Sequence, residues 1–214
     1  MADTTKLGFL VLADISGYTA FVTATELEHG PPIIAALLEA VIGRIAPPLD
    51  VFQIEGDAVF ALGVDGTVVP PASLLDVLRA GFDGFRARQR ELEADDSCTC
   101  RVCRGVSDLR LKIIGHHGSY LEQTIGGRAQ AVGSDVILAH RLLKNGVSRS
   151  DDYALFTRPA LERMGIDPAS LELSERTEHY EHFGDVPCFV LSTAVADSSC
   201  VEATGTHDAQ AALS

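Results

Sequence analysis

The chain has 214 residues, 46% of them hydrophobic and 22% charged, with no Trp and a formal net charge of −13. That length suits one sizeable core rather than two ordinary domains. The acidic balance excludes sequence-independent nucleic-acid binding and an anionic membrane surface, both of which need Lys/Arg excess. It leaves a nucleotide ligand open, because a metal ion supplies positive charge locally.

Leu7–Ala13 is a continuous apolar run that predicts a buried strand. From Ser16 to Arg44 the pattern is helical, broken at His29–Pro32, where Pro31 and Pro32 suit the first turn of a second helix. Ile33, Leu37, Leu38, Val41 and Ile45 then recur at helical spacing until Ala46–Pro48 stops them. Two apolar runs flank Glu55, Gly56 and Asp57 and predict a hairpin with a tight turn. A long amphipathic helix is expected over Ser73–Leu92, then a loop carrying a cysteine cluster, then a strand over Leu109–His117 with Ser119–Ile125 pairing to it. Gly133–Asn145 predicts a helix capped by Ser134 or Asp135. Tyr153–Thr157, Leu171–Leu173 and Val186–Ser192 predict strands, and Pro159–Met164 a short helix. Residues 1–193 are expected to form one domain with a Cys-rich loop at 94–107, and 194–214 a disordered tail. The resulting order predicts an α+β sandwich of the ferredoxin-like type: a mainly antiparallel sheet with helices packed on one face. Neither a G-x-G-x-x-G after the first strand nor a G-x-x-x-x-G-K-[ST] is present, so neither a Rossmann fold nor a P-loop is supported.

Asp14 closes the first apolar run, and an unpartnered buried carboxylate costs several kcal/mol. It therefore sits at a wet strand end, caps a helix, or holds a cation. Asp57 sits at the hairpin tip, and in a ferredoxin-like sheet that hairpin lies beside the first strand. Converged acids repel unless a cation bridges them or one stays protonated. Mg²⁺ and Mn²⁺ favour a few carboxylates together with phosphate oxygens and water.

Cys98, Cys100 and Cys103 are spaced C-x-C-x-x-C. Three thiolates within six residues can wrap a structural Zn²⁺, with His116, His117 or Cys188 as the fourth ligand. A redox or iron–sulfur role is the other reading. The N-terminal apolar run is short and lacks a cleavage-like site, and no run of about 18 apolar residues exists, so a cytoplasmic location is expected.

Four segments in order resemble class III nucleotidyl (adenylate/guanylate) cyclases: LADISGYTAF, IEGDAVFAL, KIIGHHG and VGSDVILAHRLL, covering roughly Leu7–Asn145. The ELEH segment, the cysteine insertion and AHRLLKN are more closely similar to a bacterial cyclase-like branch, DUF2652. The resemblance implies two Mg²⁺ or Mn²⁺ on Asp14 and Asp57. It implies phosphates cradled by the backbone of Ile15, Ser16, Gly17 and Tyr18, and charge neutralised at the α-phosphate by Arg141. It implies a homodimer whose site draws metal residues from one chain and the arginine from the other. The match departs at Ile137, where the family has a ribose-orienting Asn; Asn145, four residues after Arg141, is the candidate replacement. It departs again at Gln53 and Gln130, which stand where adenylyl cyclases carry a base-reading Lys and Asp. Three functions follow in order of support. The first is a cyclase acting on a purine nucleoside triphosphate. The second is a catalytically degenerate nucleotide- and metal-binding module. The third is a zinc- or redox-sensing protein without a nucleotide role.

Overall fold

The computed structural model describes residues 5–23, 29–68, 70–94, 105–148 and 150–193. Its centre is β1 (Lys6–Ser16), which pairs antiparallel with β3 (Ala58–Val64) on one side and β4 (Arg110–Ile125) on the other. With β2 (Asp50–Glu55), β6 (Tyr153–Thr157), β7 (Ser174–Tyr180) and β8 (Gly184–Ser192), the sheet runs β2-β3-β1-β4-β6-β8-β7. β5 (Arg128–Val132) pairs only with the far half of β4. β4 and β6 run parallel and the other ladders antiparallel, so the fold is the expected mainly antiparallel α+β sandwich.

Two apolar layers cover the sheet. Strand alternation sends Phe9, Val11, Ala13 and Ile15 to one layer, where they meet α2 (Gly30–Ile45) and α3 (Ser73–Glu93). α2 buries Ile34, Leu37, Leu38, Val41 and Ile45, one helical stripe, each contributing about 1.5–3 kcal/mol of transfer free energy. Leu161 and Met164 of α5 (Arg158–Met164) join the same layer. Leu10 and Leu12 point the other way, against Val136, Ala139 and Leu142 of α4 (Ser134–Leu142). Helices therefore lie on both faces rather than one. α4 carries its own apolar stripe, so it needs the second face of β1 and β4 to bury it.

Several boundaries differ from expectation. Leu109–His117 and Ser119–Ile125 form one strand, β4, and the partner of its second half is β5, across a Gly126–Gly127 turn. Leu171–Leu173 is not a strand: a short 3-10 turn spans Pro168–Leu171, and the neighbouring strand is β7. β7 escapes a hydrophobic-pattern search because its sequence, SERTEHY, is that of a solvated edge. α4 takes Gly133 as its N-cap, not Ser134 or Asp135. The expected tail and most of the cysteine loop lie outside the described residues.

Candidate functional site

β1 continues its α4-facing alternation from Leu10 and Leu12 to Asp14, so the carboxylate emerges where apolar cover runs out. Gly17 follows at φ +93, a left-handed conformation that glycine adopts without strain, and turns the chain into α1 (Tyr18–Thr23). On the neighbouring hairpin, Gly56 at φ +63 makes the two-residue turn that presents Asp57. The Asp57 carbonyl accepts the Ile15 N–H at 3.1 Å, fastening the hairpin tip to the end of β1. Asp14 and Asp57 consequently line one cleft of about 670 Å³, with Ser16, Gly17, Tyr18, Lys112, His140 and Lys144.

Burial lifts the Asp57 carboxyl above its ordinary range and the Asp14 charge adds to this; the loop's backbone hydrogen bond and the Lys112 ammonium pull it back. Lys112 lies directly across from Asp14 in the β1–β4 ladder, and its Nζ is 2.8 Å from Asp14 Oδ2. The same ammonium donates to the Leu143 carbonyl at 2.9 Å, at the C-terminal end of α4, where a cation is favoured. His140 is oriented by donating Nδ1–H to the Val136 carbonyl at 2.9 Å and stands edge-on to Phe60. The pair of carboxylates fits Mg²⁺ or Mn²⁺: it is an oxygen donor set, crowded enough to lift one pKa. It contributes few enough ligands for such an ion to keep waters and phosphate oxygens. Among the described residues, no cluster of three or more His, Cys, Asp or Glu forms a closed metal cage.

The other sequence-selected residues are placed as follows. Ile15 lines the cleft, and its N–H donates to the Asp57 carbonyl. Arg141 is exposed on α4 and lines a second hollow of about 600 Å³ with Ile137, His140, Lys144 and Tyr180, not the Asp14 cleft of its own chain. Asn145 does not continue the Arg141 face. α4 ends at Leu142, and the Asn145 amide donates to the Leu142 carbonyl while its oxygen accepts from Val147 N and the Tyr153 hydroxyl. Gln53 on β2 donates to Glu55 Oε1 at 2.5 Å, and Gln130 on β5 sits opposite Gln123; neither lines the cleft.

Cys98, Cys100 and Cys103 lie outside the described residues. Their three proposed fourth ligands are engaged elsewhere. Cys188 is fully buried in the α4-side layer, with burial pushing its thiol up to about 12. His116 is buried, with Nδ1 2.7 Å from Thr157 Oγ1, and His117 meets Asp65 at 3.2 Å and Phe9 edge-on. Lys112, His140 and Lys144 were not singled out by the sequence. The available signal was a lysine inside the apolar run LRLKIIG, whose register against Asp14 only the fold supplies.

The fold is shared with solved cyclase structures. The adenylyl cyclase CyaB from P. aeruginosa superposes with a TM-score of 0.69 at 13% identity, covering 92% of this chain and 99% of that one. The guanylyl cyclase Cya2 gives 0.67 at 15% identity, covering 93% and 98%. The guanylate cyclase domain of RhGC from Catenaria anguillulae, solved in complex with GTP, gives 0.61 at 14% identity, covering 89% and 98%. In sequence, the chain is 30% identical over 165 residues to the uncharacterized protein Rv2561/Rv2562 of Mycobacterium tuberculosis (strain ATCC 25618 / H37Rv), covering 77% of this chain and 75% of that protein. A family model described as "Protein of unknown function (DUF2652)" matches residues 34–153. With more than half its length matched, the chain belongs to the DUF2652 family, built on the fold of adenylyl and guanylyl cyclase domains.

Proposed function

We propose that the chain binds a purine nucleoside triphosphate with Mg²⁺ or Mn²⁺ and converts it to a 3′,5′-cyclic nucleotide and pyrophosphate across a homodimer. The observation that carries this reading is the convergence of Asp14 and Asp57 on one cleft at the Gly17 turn, on a cyclase-type fold. In the reaction the 3′-hydroxyl oxygen bonds to the α-phosphorus, the bond from that phosphorus to the bridging oxygen breaks, pyrophosphate leaves, and the hydroxyl proton passes to solvent. Asp14 and Asp57 would hold Mg²⁺ or Mn²⁺, which would supply hydroxyl activation and neutralisation of phosphate charge. Lys112 and Lys144 line the cleft as the chain's own cations for the phosphate chain. Arg141, turned away from the cleft of its own chain, would serve the partner's.

A second reading, binding without turnover, has its own support. Ile137 is 52% exposed where the resemblance expects a ribose-orienting Asn, and the Asn145 amide makes three hydrogen bonds within the chain. Incubation with ATP and with GTP in Mn²⁺ separates the two. Cyclic product that is lost in Asp14→Asn supports the cyclase. Saturable nucleotide binding without product supports the binding module, and the absence of both product and binding defeats both readings.

A further inference from the structure

Lys112 bridges two parts of the protein that the functional reading treats separately. One end of its contact set is Asp14 Oδ2 at 2.8 Å, in the carboxylate cleft. The other is the carbonyl of Leu143 at 2.9 Å, the C-cap of α4, two residues beyond Arg141. The lysine side chain is 9% exposed and that of Asp14 17%, so the contact is shielded from solvent and salt. His140 of α4, its C-cap Leu143, Lys144 just beyond, and Asp57 of the hairpin complete the surroundings.

We propose that Lys112 is a switch that couples cation occupancy at Asp14 and Asp57 to the last turn of the helix carrying Arg141. The ammonium occupies the cation position against Asp14 in the chain as it stands. A divalent ion approaching the same carboxylate meets a fixed like charge, so it binds by displacing Lys112. Displacement also withdraws the donor from the Leu143 carbonyl, and a helix terminus stripped of its partner frays. Metal binding thereby loosens residues 143–147, which join α4 to the strand that follows, and the arginine-bearing helix responds to the state of the cleft. The inference rests on the carboxylate pair of the proposed function, and its test distinguishes failure of one from failure of the other.

The test uses the full chain with Mn²⁺ alone. Titration calorimetry compares the wild type with Lys112→Gln, which keeps an N–H donor for the Leu143 carbonyl and removes the charge. Lys112→Gln should bind Mn²⁺ about tenfold more tightly, the effect of removing a shielded competing charge. Lys112→Arg, which keeps the charge, should stay within about threefold of the wild type. Hydrogen exchange read over 143–147 should accelerate about threefold when Mn²⁺ is added to the wild type and stay unchanged in Lys112→Gln. Equal Mn²⁺ affinity in wild type and Lys112→Gln, or wild-type exchange indifferent to Mn²⁺, overturns the switch and leaves the carboxylate site standing. No Mn²⁺ binding by either protein overturns both. Should Lys112→Gln not fold, the wild-type exchange response and Lys112→Arg still decide.

Discussion

Asp152→Ala should be among the most damaging single substitutions outside the cleft. The carboxylate is 6% exposed and holds two partners at once: Oδ1 accepts the Leu111 N–H at 2.7 Å, and Oδ2 accepts Arg86 Nε at 2.9 Å. Arg86 also donates to the Thr193 hydroxyl at 2.7 Å, and that hydroxyl donates to the Asp152 carbonyl at 3.0 Å. One acid thus joins α3, the start of β4, and the end of β8. Removing one partner of a buried pair costs about 3–5 kcal/mol, because the other charge is left stranded. Arg86 is 22% exposed, which lowers that figure, while the orphaned Leu111 N–H adds about 1–3 kcal/mol. The net expectation is a loss of about 3–4 kcal/mol, or roughly 6–16 °C in Tm for a chain of this size. Asp152→Asn keeps an acceptor for Leu111 and should lose about half as much. Arg86→Met should rescue part of the Asp152→Ala loss, since the stranded charge goes with it. Urea unfolding of the four proteins gives the cycle. A loss under about 1 kcal/mol for Asp152→Ala, or purely additive effects in the double variant, refutes the network as the clamp on β4.

Three further outcomes are expected. Asp57→Asn should raise the melting temperature in chelator at neutral pH and abolish stabilisation by Mn²⁺. The folded carboxyl titrates above the unfolded value of 3.8, so its contribution favours the native state at low pH and is lost as pH rises through the folded pKa; the variant's advantage should therefore fade on acidification, as thermal melts across pH would show. Burial, partly offset by Asp135, holds the His116 imidazole below its ordinary 6.5, so the unfolded chain takes up a proton first and stability falls as pH drops below about 6.5; His116→Gln should flatten that slope in denaturant titrations. Cys188→Ala should leave any zinc bound by Cys98, Cys100 and Cys103 unchanged in elemental analysis, since the Cys188 thiol is buried and resists ionisation.

The parts of the fold that read clearly from sequence are those where one residue type has one physical use. The apolar run into Asp14, the Glu55–Gly56–Asp57 turn and the stripe on α2 each state their structure locally. β7 does not, because its charged residues match a solvated edge and a loop equally well. The break expected at Gly118 does not occur: β4 runs through it, and Asp135 packs so closely there that a Cβ would lie 2.5 Å from its carboxyl carbon. Glycine at that point marks a close approach rather than a turn. The site divides the same way. Asp14 and Asp57 announce themselves as acids at apolar strand ends, whereas Lys112 acquires meaning only when the β1–β4 register sets it opposite Asp14. Asn145 does not share the Arg141 face, because spacing of four places two residues on one face only while the helix continues, and α4 stops three residues short.

That early stop bears on which function the family performs. The half of the cleft that holds Asp14, Asp57 and Lys112 is built within one chain, from β1, the β2–β3 turn and β4. The α4 half is where the chemistry departs: an exposed Ile137, an Asn145 sequestered by three hydrogen bonds, and an Arg141 facing outward. A polar site that loses a hydrogen-bonding group to its ligand loses discrimination first, since the ligand's own hydroxyl is then left unpaired. On the proposed function, binding and turnover would therefore rest on separate elements of this fold. Substitutions in β1 and the hairpin should remove both together, while replacing Ile137 with Asn should change turnover or ribose selectivity and leave Mn²⁺ affinity within about twofold. Measuring Mn²⁺ affinity alongside product formation in Ile137→Asn tests that division, and a loss of metal binding in that variant would show that the two halves are not separable.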